Sequence, residues 1–316
     1  MRRFLARMFG PPQTPAAPAV AQSTAEPAGH VERTWTSSDG LKLWARDYGG
    51  GAGPARLPVI CLHGLTRNSR DFEDVAPAIA AAGRRVLALD VRGRGRSAYD
   101  PNPTNYNPAV YAGDVASLMA EAGVARAIFL GTSMGGLITM TLATMRPDLI
   151  AGAILNDIGP EIATEGLTRI GSYVGSGEPA ASWAEAAERT RAINGSAQPH
   201  LTEDDWDRFA RRTWREAEPG KLVLDYDPAI AQAFAAAPAG TPSPDLWPLF
   251  MALAINRPML LVRGGASDLL AQGTAARMQA MAPQMRRVDI DGVGHAPTLD
   301  EPAARRAITD FLADAP

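Results

Sequence analysis

Apolar residues fall in short, regularly spaced runs along the chain. Leu57–Leu62, Arg85–Leu89, Ala127–Leu130 and Gly152–Leu155 each end in a polar or glycine-rich turn, at His63-Gly64, Asp90, Gly131 and Asn156-Asp157. Between them lie stretches of helical periodicity, Asp71–Ala82, Tyr106–Ala122 and Met134–Met145, the last closed by Arg146-Pro147. Short apolar runs alternating with helices predict βαβ units: a parallel sheet covered on both faces, with right-handed crossovers. Two alternating segments precede this pattern, Glu32–Thr36 and Leu41–Tyr48. The Ser38-Asp39-Gly40 turn between them predicts a hairpin, because Asp-Gly supplies the backbone angles a tight turn needs.

The alternation lapses after Gly159-Pro160, and residues 160–250 read as several helices without a clear strand. Trp183, Trp206, Trp214 and Trp247 fall in this stretch, among charged clusters such as Glu203-Asp204-Asp205. It is expected to form a helical cap, with its aromatics serving mainly to pack it onto the layer below. The alternation resumes with Pro258–Arg263, a helix over Gly273–Met281, Arg286–Ile290 and a final helix over Glu301–Ala313. The expected organisation is a Pro/Ala-rich disordered tail over 1–29, an α/β core over 30–159 and 251–316, and the cap over 160–250. In such a sheet, functional loops lie at the carboxyl ends of the strands.

Composition narrows the function classes. With 316 residues, 46% apolar and 21% charged, the chain can bury a sizeable core. A formal net charge of −3 favours neither nucleic acid nor an anionic membrane surface as partner. Cys61 is the single cysteine, so no internal disulfide can form, and the four histidines lack any HExxH or CxxC spacing. No metal and no cofactor is expected. No run of 18 apolar residues exists, so no membrane-spanning helix is expected either. The segment Met1-Arg2-Arg3-Phe4-Leu5 opens like a secretion signal, but Arg7, Pro11, Pro12, Gln13 and Pro15 interrupt its apolar part. A cytoplasmic protein acting on a small molecule is the expectation; oligomeric state is not set by the sequence.

The chemistry centres on Gly131-Thr132-Ser133-Met134-Gly135, a G-x-S-x-G pattern with a strand just before it and a helix just after. A strand turning sharply into a helix demands minimal side chains beside the serine, and the helix N-terminus adds positive potential near a developing anion. The plain alternative is a glycine-rich turn with a capping serine. A serine hydroxyl needs a general base near neutral pKa, which points to histidine. His30 lies in the tail, His63 opens a loop and His200 falls in the cap, whereas His295 follows the last strand within Gly294-His295-Ala296-Pro297. His295 is therefore the candidate. The acid that would orient it is expected at Asp268, in Gly264-Gly265-Ala266-Ser267-Asp268, giving the chain order Ser133, Asp268, His295. Asp157, at the end of the preceding strand, is the alternative acid. An oxyanion hole is expected from the N–H groups of Met134 and of Leu65, the latter in the turn His63-Gly64-Leu65-Thr66.

On these residues the chain resembles the α/β-hydrolase superfamily, in its serine hydrolase branch with a helical cap. The landmarks are Leu62-His63-Gly64, Asp90-Val91-Arg92-Gly93-Arg94-Gly95-Arg96-Ser97, the turn around Ser133, Gly264 to Asp268, and Gly294-His295. The resemblance implies a mostly parallel eight-stranded sheet flanked by helices. The Asp90–Ser97 segment is similar to the family's D-x-R-G-x-G-x-S turn, with Arg94 where histidine is common. It is expected to be structural, with exposed arginines solvated and a carboxylate-binding patch as the alternative.

The expected activity is hydrolysis of a carboxylic ester of a small or medium substrate through an acyl-enzyme. Enol-lactone or carbon–carbon bond (diketone) hydrolysis would use the same triad. A serine at the elbow argues against the haloalkane dehalogenase and epoxide hydrolase chemistries, which resemble this layout but use aspartate there. A reading from another class is a non-catalytic ligand-binding protein of the same fold.

Overall fold

The computed structural model describes residues 29–49, 56–235 and 245–316. The expected tail thus lies almost wholly outside the described residues. The described residues open with an antiparallel pair, β1 (Val31–Thr36) and β2 (Lys42–Tyr48). There follow β3 (Val59–Leu62), α1 (Val75–Ala81), β4 (Val86–Asp90), α2 (Pro108–Glu121), β5 (Ala127–Thr132), α3 (Met134–Met145) and β6 (Ile150–Asn156). An inserted segment carries α4 (Thr164–Tyr173), α5 (Trp183–Asn194), α6 (Glu203–Thr213), the hairpin β7 (Trp214–Glu218) and β8 (Lys221–Leu224), and α7 (Ile230–Ala235). The remainder is α8 (Trp247–Ala254), β9 (Met259–Gly264), α9 (Gln272–Met281), β10 (Met285–Ile290) and α10 (Pro302–Asp314).

Eight strands form one sheet in the order β1-β2-β4-β3-β5-β6-β9-β10. Pairing is antiparallel at β1/β2 and β2/β4 and parallel from β4 onward. The strands read as unbroken apolar runs because both faces are covered. Along β3, Ile60 and Leu62 enter one buried cluster, with side chains of α2, α3 and α8, while Val59 and Cys61 enter the other, with α1 and α10. No helix among the described residues is long and apolar enough to cross a membrane.

Two elements depart from the sequence-based expectation. The helix expected over Asp71–Ala82 is a short 3-10 turn, Ser69–Phe72, followed by α1 from Val75. Pro77 explains the break. It has no N–H to give a carbonyl one turn back, so it is tolerated only in the first turn. The inserted segment, expected without strands, contains the β7–β8 hairpin. Its strands are only five and four residues long, and Trp214 and Leu222 are its buried positions. Two inward residues are too few to display a period of two.

Candidate active site

Ser133 stands between the last residue of β5 and the first of α3. Its backbone, at φ 50° and ψ −113°, lies in a region that non-glycine residues rarely occupy. The turn survives because main chain can close in around it. A Cβ on Gly135 would sit 2.0 Å from the Leu62 carbonyl oxygen, and one on Gly131 would sit 2.5 Å from the Gly135 carbonyl. Glycine is therefore required at both flanking positions of the motif, and the constraint lifts the serine hydroxyl out at the carboxyl end of the sheet.

His295 meets that hydroxyl, with Nε2 2.9 Å from Ser133 Oγ. On the other side of the ring, Nδ1 lies 2.8 Å from Asp157 Oδ2. A carboxylate can only accept here, so Nδ1 carries the proton and Nε2 is left to accept from the serine. Asp157 is fully buried at the end of β6. Its Oδ1 accepts from the Gly264 N–H at 2.9 Å, and Oδ2 also accepts from the Ser267 hydroxyl at 2.6 Å.

The carboxylate bonded to His295 is thus Asp157, and the expectation for Asp268 is corrected. Asp268 turns instead toward the inserted segment, where Arg169 of α4 grips it at 2.5 and 2.9 Å. Bonding by Arg169 holds its carboxyl below the usual range. Ser267 is the residue that sequence reasoning missed. Its oxygen accepts from the N–H groups of Leu269 and Leu270 while its hydroxyl donates to Asp157, which fixes the loop with Asp268 facing away.

The turn after β3 is held by His63. This ring is wholly buried, accepts from the Val91 N–H at Nε2 (3.0 Å) and so must donate from Nδ1 to the Gly64 carbonyl (2.7 Å). Burial pushes its pKa down to about 4, so the ring stays neutral. Gly64 C=O and Leu65 N–H belong to one peptide and point in opposite directions. Holding the carbonyl therefore fixes the direction of the Leu65 N–H. Neither the Leu65 nor the Met134 N–H has an intramolecular acceptor among the described residues.

A cavity opens above Ser133 and His295, walled on the core side by Gly64, Leu65 and Thr66 and on the other by Ile170, Tyr173, Trp214, Leu224 and Tyr226 of the inserted segment. Of the four tryptophans in that segment only Trp214 reaches the cavity. Its indole N–H donates to Thr190 Oγ1 at 2.9 Å. Main-chain bonds dock the segment at three places: Gly294 N–H to Ala197 C=O (2.7 Å) beside His295; Asp227 N–H to Gly93 C=O (2.7 Å) with Gly95 N–H to Asp225 C=O (3.0 Å); and Ala163 N–H to Leu269 C=O (2.9 Å) with Gly166 N–H to Asp268 C=O (3.1 Å). His200 is exposed and apart from the cavity.

Of the three arginines in the Asp90–Ser97 segment, Arg96 is exposed as expected, but Arg92 and Arg94 are not solvated surface. Arg92 is buried in a cage of Asp39, Asp100 and Asp114, and Arg94 is wholly buried; neither lines the cavity. This leaves no support for a carboxylate-binding patch in these two side chains, because Arg92 is already matched by the chain's own carboxylates.

Comparison with known proteins agrees with this fold. The sequence family described as alpha/beta hydrolase fold matches residues 58–302. A 3-hydroxybutyrate-oligomer hydrolase of Cupriavidus necator is 35% identical over 85% of this chain and 92% of its own. A crystal structure of an alpha/beta hydrolase from Novosphingobium aromaticivorans superposes with a TM-score of 0.84 at 45% identity, covering 91% of this chain and 99% of that one. An esterase of Mycobacterium tuberculosis superposes at 0.66 with 26% identity, covering 92% and 94%.

Proposed function

The chain belongs to the α/β-hydrolase family, and from that premise we propose that it is a serine hydrolase cleaving a carboxylic ester through an acyl-enzyme. The observation that carries this reading is the unbroken chain of hydrogen bonds from Ser133 Oγ through the His295 ring to Asp157. His295 Nε2 takes the hydroxyl proton as Ser133 attacks the ester carbonyl. The N–H groups of Leu65 and Met134 receive the oxygen as it becomes negative. His295 returns the proton to the departing alkoxide, leaving an acyl-serine. Water then attacks that acyl group, giving its proton to His295, and the acid leaves as Ser133 is restored. Asp157 holds the ring in the productive tautomer and stabilises it while charged, without taking the proton itself.

The relative named for 3-hydroxybutyrate oligomers supports short esters of hydroxy acids as the first substrates to try. The test is labelling and turnover together. A fluorophosphonate should label Ser133 in the folded protein, and p-nitrophenyl butyrate and 3-hydroxybutyrate dimers should be hydrolysed. Ser133→Ala should lose label and lower kcat at least about a thousandfold. Full activity in Ser133→Ala would end this reading. Cleavage of enol-lactones or diketones in preference to esters would keep the triad but change the substrate class.

A further inference from the structure

Arg94 is a wholly buried cation that forms no ion pair among the described residues. Burying an unpaired guanidinium is costly unless its donors are met and its charge is used. Its donors are met in a particular way. Nε donates to the Leu65 carbonyl at 2.9 Å, and Nη1 donates to the Arg92 carbonyl at 2.8 Å and the Tyr111 hydroxyl at 2.9 Å. Nη2 points at the Met134 sulfur, 3.5 Å away. The rings of Tyr106 and Tyr111 flank the group, their centroids 5.6 and 5.1 Å from Cζ. One side chain therefore touches both residues whose N–H groups are assigned to the oxyanion, and it does so from behind, outside the cavity.

We propose that Arg94 is a positioning residue of the oxyanion hole, bracing Leu65 and Met134 and setting a fixed positive charge behind their N–H groups. The inference rests on the serine hydrolase reading above. Two successive carbonyls of the turn are held, Gly64 by His63 and Leu65 by Arg94, so both peptide planes flanking Leu65 are fixed. The N–H cannot swing away when the substrate oxygen changes from trigonal to tetrahedral. The charge acts in the same direction. In a dry interior a guanidinium favours an oxygen bearing full negative charge over a neutral ester carbonyl. The benefit therefore falls on the transition state and not on substrate binding.

The experiment is steady-state kinetics of Arg94→Met, with the affinity of a boronic acid that forms a tetrahedral adduct on serine as a second readout. Thermal unfolding checks that the variant is folded. Arg94→Met should lower kcat about 10- to 100-fold with KM within about threefold, and should weaken the boronate by a similar factor. Should Arg94→Met not fold, Arg94→Lys is read by the same criteria, since an ammonium keeps the charge but cannot hold all three acceptors at once. A folded variant with kcat and boronate affinity within twofold of the parent overturns the proposal, as does a rise in KM at unchanged kcat. Ser133→Ala, run alongside, separates the two ideas. If it is inactive while Arg94→Met matches the parent, only the role of Arg94 falls. If it stays active, the nucleophile assignment falls and takes the oxyanion hole with it.

Discussion

Asp157 Oδ2 lies 2.8 Å from His295 Nδ1, a bond that Asp268 does not make among the described residues. Asp268 is instead ion-paired with Arg169 through two bonds. The two aspartates follow neighbouring parallel strands, with Asn156 of β6 in register with Val262 of β9, so both emerge at the same end of the sheet. Substitution separates their roles. Asp157→Asn should lower kcat by roughly 10³- to 10⁴-fold, because the amide no longer enforces the Nδ1–H tautomer. Asp268→Asn should cost less than about tenfold. Comparable losses in the two variants, measured on the same ester, would contradict the assignment.

Gly135 is fixed by contact and not by dihedral angle. Its missing Cβ would fall 2.0 Å from the Leu62 oxygen, main chain against main chain. Gly135→Ala must push β3 and α3 apart, which should cost about 1–3 kcal/mol of stability. A urea titration would show the midpoint falling at unchanged slope. The same displacement moves Ser133 from His295, so activity should fall further than the folded fraction. An unchanged midpoint would mean the turn can relax.

His63 gives the protein an acid limit. Burial holds its pKa at about 4 in the folded chain, against an ordinary value near 6.5 when unfolded. Above pH 6.5 neither state binds the proton, and the stability tied to the neutral ring is fully present. As pH falls from 6.5 through 4 the unfolded chain takes up the proton first, so stability declines by roughly 3 kcal/mol. His63→Gln should flatten that limb of a stability–pH curve. Parallel curves for parent and variant between pH 7 and 4.5 would rule it out.

Asp225 has the opposite sign. Its buried carboxyl, accepting from Asn68 Nδ2 at 3.0 Å, is pushed up to about 6 by burial. Between pH 3.8 and 6 the folded state holds a proton that the unfolded state has lost, so this group's contribution is present in acid and is lost as pH rises through 6. Asp225→Asn should therefore stabilise the protein more at pH 8 than at pH 5, by about 1.4 kcal/mol. Differential scanning calorimetry of the two proteins at those pH values checks it; a larger gain at pH 5 would reverse the argument.

Much of the frame was legible because burial on two faces leaves a plain signature. Runs such as Val59–Leu62 have no polar residue to interrupt them, and each ends where the sheet ends. The pairing of Ser133 with His295 was legible because their loops follow such runs. The carboxylate beside His295 was not, since Asp157 and Asp268 both follow strands at the same edge of the site. What decides between them is the hydroxyl of Ser267 and a guanidinium from α4, some hundred residues away in the chain. The sequence predicts Arg94 as solvated surface because arginines are mostly exposed; only the packing of Tyr106, Tyr111 and Leu65 around it removes it from water.

The docking of the inserted segment has a consequence for how the protein could change its substrate. Beside His295 and beside Arg94 the segment is joined to the core by main-chain bonds, at Gly294–Ala197 and at residues 93–95 with 225–227. A peptide group offers the same donor and acceptor whatever side chain it carries. The half-buried cavity wall at Tyr173 and Leu224 can therefore be rewritten while the seams that hold it over Ser133 stay intact. The catalytic floor and the selective roof are thus separable by mutation, and libraries confined to those two positions should alter preference among esters while leaving the fold and the serine's reactivity alone.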